Sequence, residues 1–122
     1  MTTSELSSTV LKTVDAMDAA GFSRFFAEDA KMVFGNGDAM IGRPAIEAGV
    51  GGFFCSIEGL THHVVNEWVV GNDSIIELRV AYDGLDGRHV EVPVVSIWTV
   101  GNDGLINDYR VFFDLAPLYA AA

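Results

Sequence analysis

The chain has 122 residues and a formal charge of −10, from 7 Lys+Arg against 17 Asp+Glu, which makes nucleic acid and anionic membrane surfaces poor partners. A single cysteine, Cys55, excludes an internal disulfide, and no apolar run nears the ~20 residues of a membrane span. The length suits one domain over residues 1–122, and with no basic-then-apolar leader the expected compartment is the cytoplasm.

In chain order, Thr2 to Glu5 sets a hydroxyl three residues ahead of a glutamate, the pattern of a capping box. Leu6, Val10, Val14 and Met17 then recur at helical spacing, and Gly21 stops the run. Ser23 is placed to cap a short second helix through Phe25 and Phe26, ending at Glu28-Asp29. Ala30 to Phe34 reads as a strand and Gly35 to Asp38 as a turn. Gly42-Arg43-Pro44 opens a third helix, with Pro44 in the first turn, where a missing N–H is tolerated. Ile46, Val50, Phe53 and Phe54 form its apolar stripe.

From Thr61 onward the chain is strand and turn. His62 to Val70 and Ser74 to Asp83 are two strands. HVEVPVVSIWTV and LINDYRVFFD form a long hairpin around Gly101-Asn102-Asp103-Gly104. In the short tail, Leu118 and Tyr119 tuck back onto the body. The elements predict an α+β fold: three N-terminal helices packed in a strongly curved, mostly antiparallel sheet, a cone-shaped α+β barrel. Both faces of the hairpin are apolar, so the sheet is covered on both sides. One face carries Val95 and Ile97 with Tyr109, Val111 and Phe113. The other runs through Val94, Trp98, Val100, Arg110 and Phe112, and a homodimer through this outer face is expected.

The phrases FFAEDAKMVF, GRPAIEAGVGGFF and DYRVFFDLAPLYA, each at its place in this order, resemble the nuclear transport factor 2-like superfamily, and within it the SnoaL-like branch. The resemblance covers residues 6 to 119 and implies a cone with an apolar mouth. Its members include ketosteroid isomerases, limonene epoxide hydrolases, polyketide cyclases and proteins with no catalysis, so fold alone does not name the reaction. The isomerases' general-base aspartate matches Phe34 here, and their protonated acid falls near Val95, so that chemistry lacks its groups. The epoxide hydrolases' arginine matches Arg79, but their aspartates match Ala81 and Val111.

Three polar residues remain as catalytic candidates. Alternation puts Glu77, Arg79 and Ala81 on one face, and the family position of Arg79 implies that this face looks inward, with Glu77 as its partner. The branch often carries a histidine at the position of His62, which is then the inward, titratable acid/base. Tyr109 shares its face with Val111 and Phe113 and serves as donor or ring wall. Phe26, Met32, Phe34, Phe53, Phe54, Val95, Ile97, Val111 and Phe113, with Glu77, are the expected lining of a substrate pocket. His62 and His63 are adjacent on a strand and point to opposite faces, so no metal site is expected, and no cofactor.

The reading that results is a cofactor-independent enzyme of isomerase, cyclase or dehydratase type, acting on a small hydrophobic oxygenated molecule. The alternatives are a binding protein that holds such a molecule unchanged, and a dimeric interaction module with a filled cone.

Overall fold

The computed structural model describes residues 4–119. It contains α1 (Glu5–Asp15), α2 (Ala19–Ser23), β1 (Phe26–Phe34), β2 (Met40–Ile41), α3 (Arg43–Cys55), β3 (Ile57–Val70), β4 (Asp73–Gly84), β5 (His89–Val100), β6 (Ile106–Phe113) and α4 (Ala116–Tyr119). One six-stranded sheet runs in the order β2-β1-β6-β5-β4-β3. Only β1 and β6 pair in parallel; every other neighbouring pair is antiparallel. The class is α+β, as expected, with the curved sheet wrapped around the helices.

The Thr2 end of the expected capping box lies outside the described residues. Ser4 is the N-cap of α1, its hydroxyl accepting from the Ser7 N–H. The buried face of the helix is Ser7, Val10, Leu11 and Val14, the i, i+3, i+4, i+7 stripe of an amphipathic helix. It stops at Asp15 rather than running on to Gly21. Met17 takes a left-handed φ of 57°, Met17 N–H donates to the Val14 carbonyl, and Asp18 N–H reaches the Thr13 carbonyl. Those two bonds define a Schellman stop, here built on a methionine where glycine is usual.

The second helix lies earlier than expected, over Ala19–Ser23, where Ser23 is its last residue rather than its cap. It ends at Ser23, and Phe25 and Phe26 leave it; Phe26 begins β1 and is fully buried. The pull is tertiary: the Phe25 carbonyl accepts from Ile106 N–H at 2.8 Å, which zips β1 onto β6. The third helix opens as read, with Pro44 in its first turn and Ile46, Val50 and Phe54 buried. The Arg43 Nε donates to the Phe26 carbonyl at 2.6 Å and ties α3 to β1. Gly49 has a packing role, because a Cβ there would collide with the Met40 thioether.

Register decides what the cone contains. On β4, Ser74, Ile76, Leu78, Val80 and Tyr82 are buried and their neighbours are not. They sit opposite Trp98, Ser96, Val94, Val92 and Val90 of β5, respectively. On β6 the inward set is Tyr109 and Val111, opposite Trp98 and Ser96, with Phe113 opposite Val94. The β5 face is therefore the reverse of the sequence expectation. Val94, Ser96 and Trp98 point inward, Val95 and Ile97 outward, and Trp98 is fully buried rather than on the outer face.

On β3, register shifts lie between Ile57 and Gly59 and between Val64 and Asn66. The second has a consequence: in a regular strand His62 and Glu67 would face opposite ways, five residues apart. The extra residue of the bulge restores the phase, and His62 and Glu67 pair with the inward residues Val80 and Ile76.

Candidate functional site

The cone holds a cavity of about 230 Å³. Its wall is largely apolar and aromatic, with Met32, Phe34, Phe53, Phe54, Leu60 and Val111 among its contributors. The polar groups on it are His62, Tyr82, Ser96, Tyr109 and Asp38. Asp38 is exposed, on the turn after β1, whereas Tyr82, Ser96 and Tyr109 are 3–4 % exposed.

His62 is held from behind. The Asp15 carboxylate, at the last residue of α1, lies 2.6 Å from His62 Nδ1 and also accepts the His62 backbone N–H at 3.1 Å. An ionised carboxylate only accepts, so Nδ1 carries the hydrogen and Nε2 is left with its lone pair. The His62 side chain is 11 % exposed and Asp15 27 %. A carboxylate at a helix C-terminus opposes the helix dipole; its bonds to His62 offset that unfavourable position.

The other end of α1 is fixed to the same strand. Glu67, 3 % exposed, accepts from Ser4 N–H at 2.7 Å and from the Ser7 hydroxyl at 2.6 Å. Thus β3 supplies the carboxylate at the helix start, and the helix supplies the carboxylate at its end.

Tyr82 and Tyr109 have phenol pKa values pushed well above the ordinary 10. For Tyr82 burial is the largest cause, followed by the charges of Tyr109, Tyr119 and Asp15. For Tyr109 burial dominates, with the Ser96 hydroxyl pulling the other way. Both remain neutral O–H donors across the physiological range. Tyr109 is locked in place by stacking on Trp98, at 4.9 Å between centroids, and by an edge contact to Phe22 at 5.7 Å.

Of the expected catalytic residues, His62 and Tyr109 share this cavity and Arg79 does not. Arg79 alternates to the outer face of β4, its side chain is 48 % exposed, and it pairs with Glu91 across β5 at 3.0 Å rather than with Glu77. Met32, Phe34, Phe53, Phe54 and Val111 line the cavity as expected. Phe26 is plain core, and Phe113 packs on the Phe34 ring, 4.6 Å between centroids, without reaching the cavity wall. Glu77, Val95 and Ile97 are on the outer face, for the parity reasons given above. Sequence reasoning missed Asp15, Tyr82 and Ser96. Tyr82 carried a signal, since it alternates in step with the apolar Ile76, Leu78 and Val80 of β4, whereas Ser96 did not, because β5 is apolar on both faces.

Among the described residues, no group of three His, Cys, Asp or Glu side chains is placed to hold a metal ion. No helix among them is long and apolar enough to cross a membrane.

No curated protein matches the sequence. Solved structures do match in fold. A Catenulispora acidiphila protein with a ketosteroid isomerase-like fold, crystallised in complex with trimethylamine, superposes with a TM-score of 0.88 at 18% identity, over 98% of this chain and 92% of its own. The epoxide hydrolase/cyclase-like enzyme SalBIII, of pyran ring formation in salinomycin, gives 0.79 at 18% identity, over 92% and 90%. A Jannaschia sp. CCS1 protein carrying the name SnoaL-like polyketide cyclase gives 0.75 at 20% identity, over 100% and 99%. At such identities these structures speak for the fold, the cone of nuclear transport factor 2-like proteins. The family model for the SnoaL-like domain matches residues 9–109, a span that takes in Asp15, His62, Tyr82 and Tyr109, and the chain belongs to that family.

Proposed function

We propose that the protein is a cofactor-independent acid/base enzyme acting on a small hydrophobic oxygenated molecule held in the cone. The observation that carries this reading is the His62–Asp15 pair, 2.6 Å apart, presenting His62 to an apolar cavity that also contains two buried phenols. Asp15 fixes the tautomer, as the carboxylate of a catalytic triad does. His62 Nε2 takes a proton from the carbon next to a carbonyl. The neutral phenols of Tyr82 and Tyr109 hydrogen-bond the oxygen on which negative charge then develops. The imidazolium returns the proton at another position, completing an isomerisation, or to a leaving hydroxyl, completing a dehydration. Arg79 has no part in this scheme.

The test is isomerisation of a β,γ-unsaturated ring ketone such as cyclohex-3-enone to its conjugated isomer, followed by ultraviolet absorbance. The wild-type chain is expected to accelerate it. His62→Ala is expected to lose at least ~100-fold, the usual contribution of a positioned acid/base, while keeping its fold. Equal turnover by the two proteins would eliminate His62 as the base. A binding role without turnover is the second reading, favoured by the predominantly apolar wall; the Catenulispora relative was crystallised with a small molecule. Tight ligand binding without turnover would select it.

The same reading includes a homodimer through the outer sheet face and a cytoplasmic setting. Support for the dimer comes from one cross-strand band of outward side chains. Trp68, Ile75, Ile97 and Arg110 are successive register partners, with Val95 and Phe112 paired beside them. Trp68 and Phe112 are 44 % and 50 % exposed.

A further inference from the structure

The cavity's size, the distribution of its polar groups and the charge at its mouth together restrict the ligand more narrowly than "small and oxygenated". Size comes first. A dry cavity of ~150 Å³ accepts a benzene ring, and drug-sized ligands use ~300 Å³ or more. At about 230 Å³, this cavity matches one ring with a few additional heavy atoms and is too small to enclose a polycyclic skeleton.

Charge comes second. Among the described residues on the wall there is no lysine or arginine, and the charge of His62 on protonation is matched by Asp15. A carboxylate or phosphate entering would lose its water without gaining a cation, a large penalty. It would also pass Asp38, the exposed carboxylate on the wall, on a chain whose net charge is −10. The buried groups, by contrast, suit an acceptor oxygen. Tyr82, Tyr109 and Ser96, each a 3–4 % exposed residue, bring hydroxyls to the wall. A cationic ligand would meet the aromatic rings but offer nothing to those donors.

We infer that the site takes an uncharged carbonyl compound about one ring in size, its carbonyl oxygen toward the hydroxyls of Tyr82 and Tyr109 and its adjacent carbon toward His62, with Asp38 at the mouth selecting against anions. This rests on the cone being the ligand site proposed above, and holds whether or not that site is catalytic.

The experiment is calorimetric titration of the full chain with four probes. Acetophenone, benzoate and phenyltrimethylammonium share one ring and differ in charge; a four-ring steroid ketone keeps the carbonyl and changes the size. Acetophenone is expected to bind at least tenfold more tightly than benzoate or phenyltrimethylammonium, and the steroid not at all. Asp38→Asn is expected to narrow the gap between acetophenone and benzoate several-fold, and an unchanged gap would overturn the role of Asp38 at the mouth. Benzoate or the ammonium ion binding as well as acetophenone would overturn the charge argument. The steroid as best ligand would overturn the size argument, and no binding by any probe would overturn both. Repeating the acetophenone titration with His62→Ala separates this result from the catalytic reading. Retained binding with lost turnover leaves the ligand class standing, and turnover of a bound anion defeats it while the acid/base role survives.

Discussion

His62 is useful only because a carboxylate 47 positions earlier in the chain closes on its Nδ1. Asp15→Asn tests that dependence: the amide can donate as well as accept, so it no longer enforces one tautomer. Turnover should fall by ~100-fold or more, with the melting temperature little changed; unchanged turnover would reduce Asp15 to a helix-end hydrogen-bond partner. Arg79 leads to the opposite expectation. As half of an exposed pair with Glu91, its replacement by alanine should cost no more than ~1 kcal/mol and leave activity intact. A pronounced activity loss in a urea-stable Arg79→Ala would return it to the site. The two buried phenols give a pH signature. Their pKa values are raised in the folded state, so the unfolded chain releases these protons above pH ~10 while the folded chain retains them. Stability is then complete below pH ~10 and falls above it by up to ~1.4 kcal/mol per pH unit for each tyrosine. Urea melts between pH 9 and 11.5 should show this decline, and Tyr109→Phe should flatten it. His62 and Tyr109 were legible in the sequence from strand phase and family position. Asp15 was not, because nothing local marks a helix-terminal aspartate as the partner of a distant histidine.

At the scale of elements, the order and class of the fold could be read from periodicity and turn residues, and the errors were errors of phase. Strand β5 offers apolar side chains to both faces, with Val94 and Trp98 on one and Val95 and Ile97 on the other. Alternation therefore cannot choose between them. The choice is made by pairing: Glu91 lies beside outward Arg79, and Trp98 lies opposite Tyr109, where the rings stack. Arg79 was misplaced for a different reason: β4 alternates plainly, Ile76, Leu78, Val80 and Tyr82 against Glu77 and Arg79, and the family position of the arginine was followed against that pattern. The end of α1 was hidden for another reason, since a left-handed Met17 does not announce a stop as glycine does. The β3 bulge was equally silent, yet it turns both His62 and Glu67 toward α1. Glu67→Ala removes the buried acceptor of Ser4 N–H and the Ser7 hydroxyl. It should destabilise the fold by ~2–3 kcal/mol, read by urea denaturation. A loss under ~0.5 kcal/mol would mean that α1 is held by its apolar face alone.

At the scale of the whole molecule, the protein is a cone around a modest cavity that opens beside Asp38, with an exposed aromatic band on the outer sheet face. That band is the proposed contact between two copies, and Ile97→Glu, in its middle, tests it. The variant should sediment as a monomer where the wild type sediments as a dimer, with the cone's ligand affinity preserved. A wild-type monomer at micromolar concentration would remove the dimer from the account. The central claim, however, is that the cone moves protons through His62. The most direct measurement is solvent deuterium incorporation next to the carbonyl of a bound ring ketone, followed by proton NMR in wild type and His62→Ala at matched saturation. The account predicts exchange at least ~100-fold faster in the wild type, with both proteins folded and both binding the ketone. Identical exchange rates, with binding intact, would contradict it and leave a protein that holds its ligand without changing it.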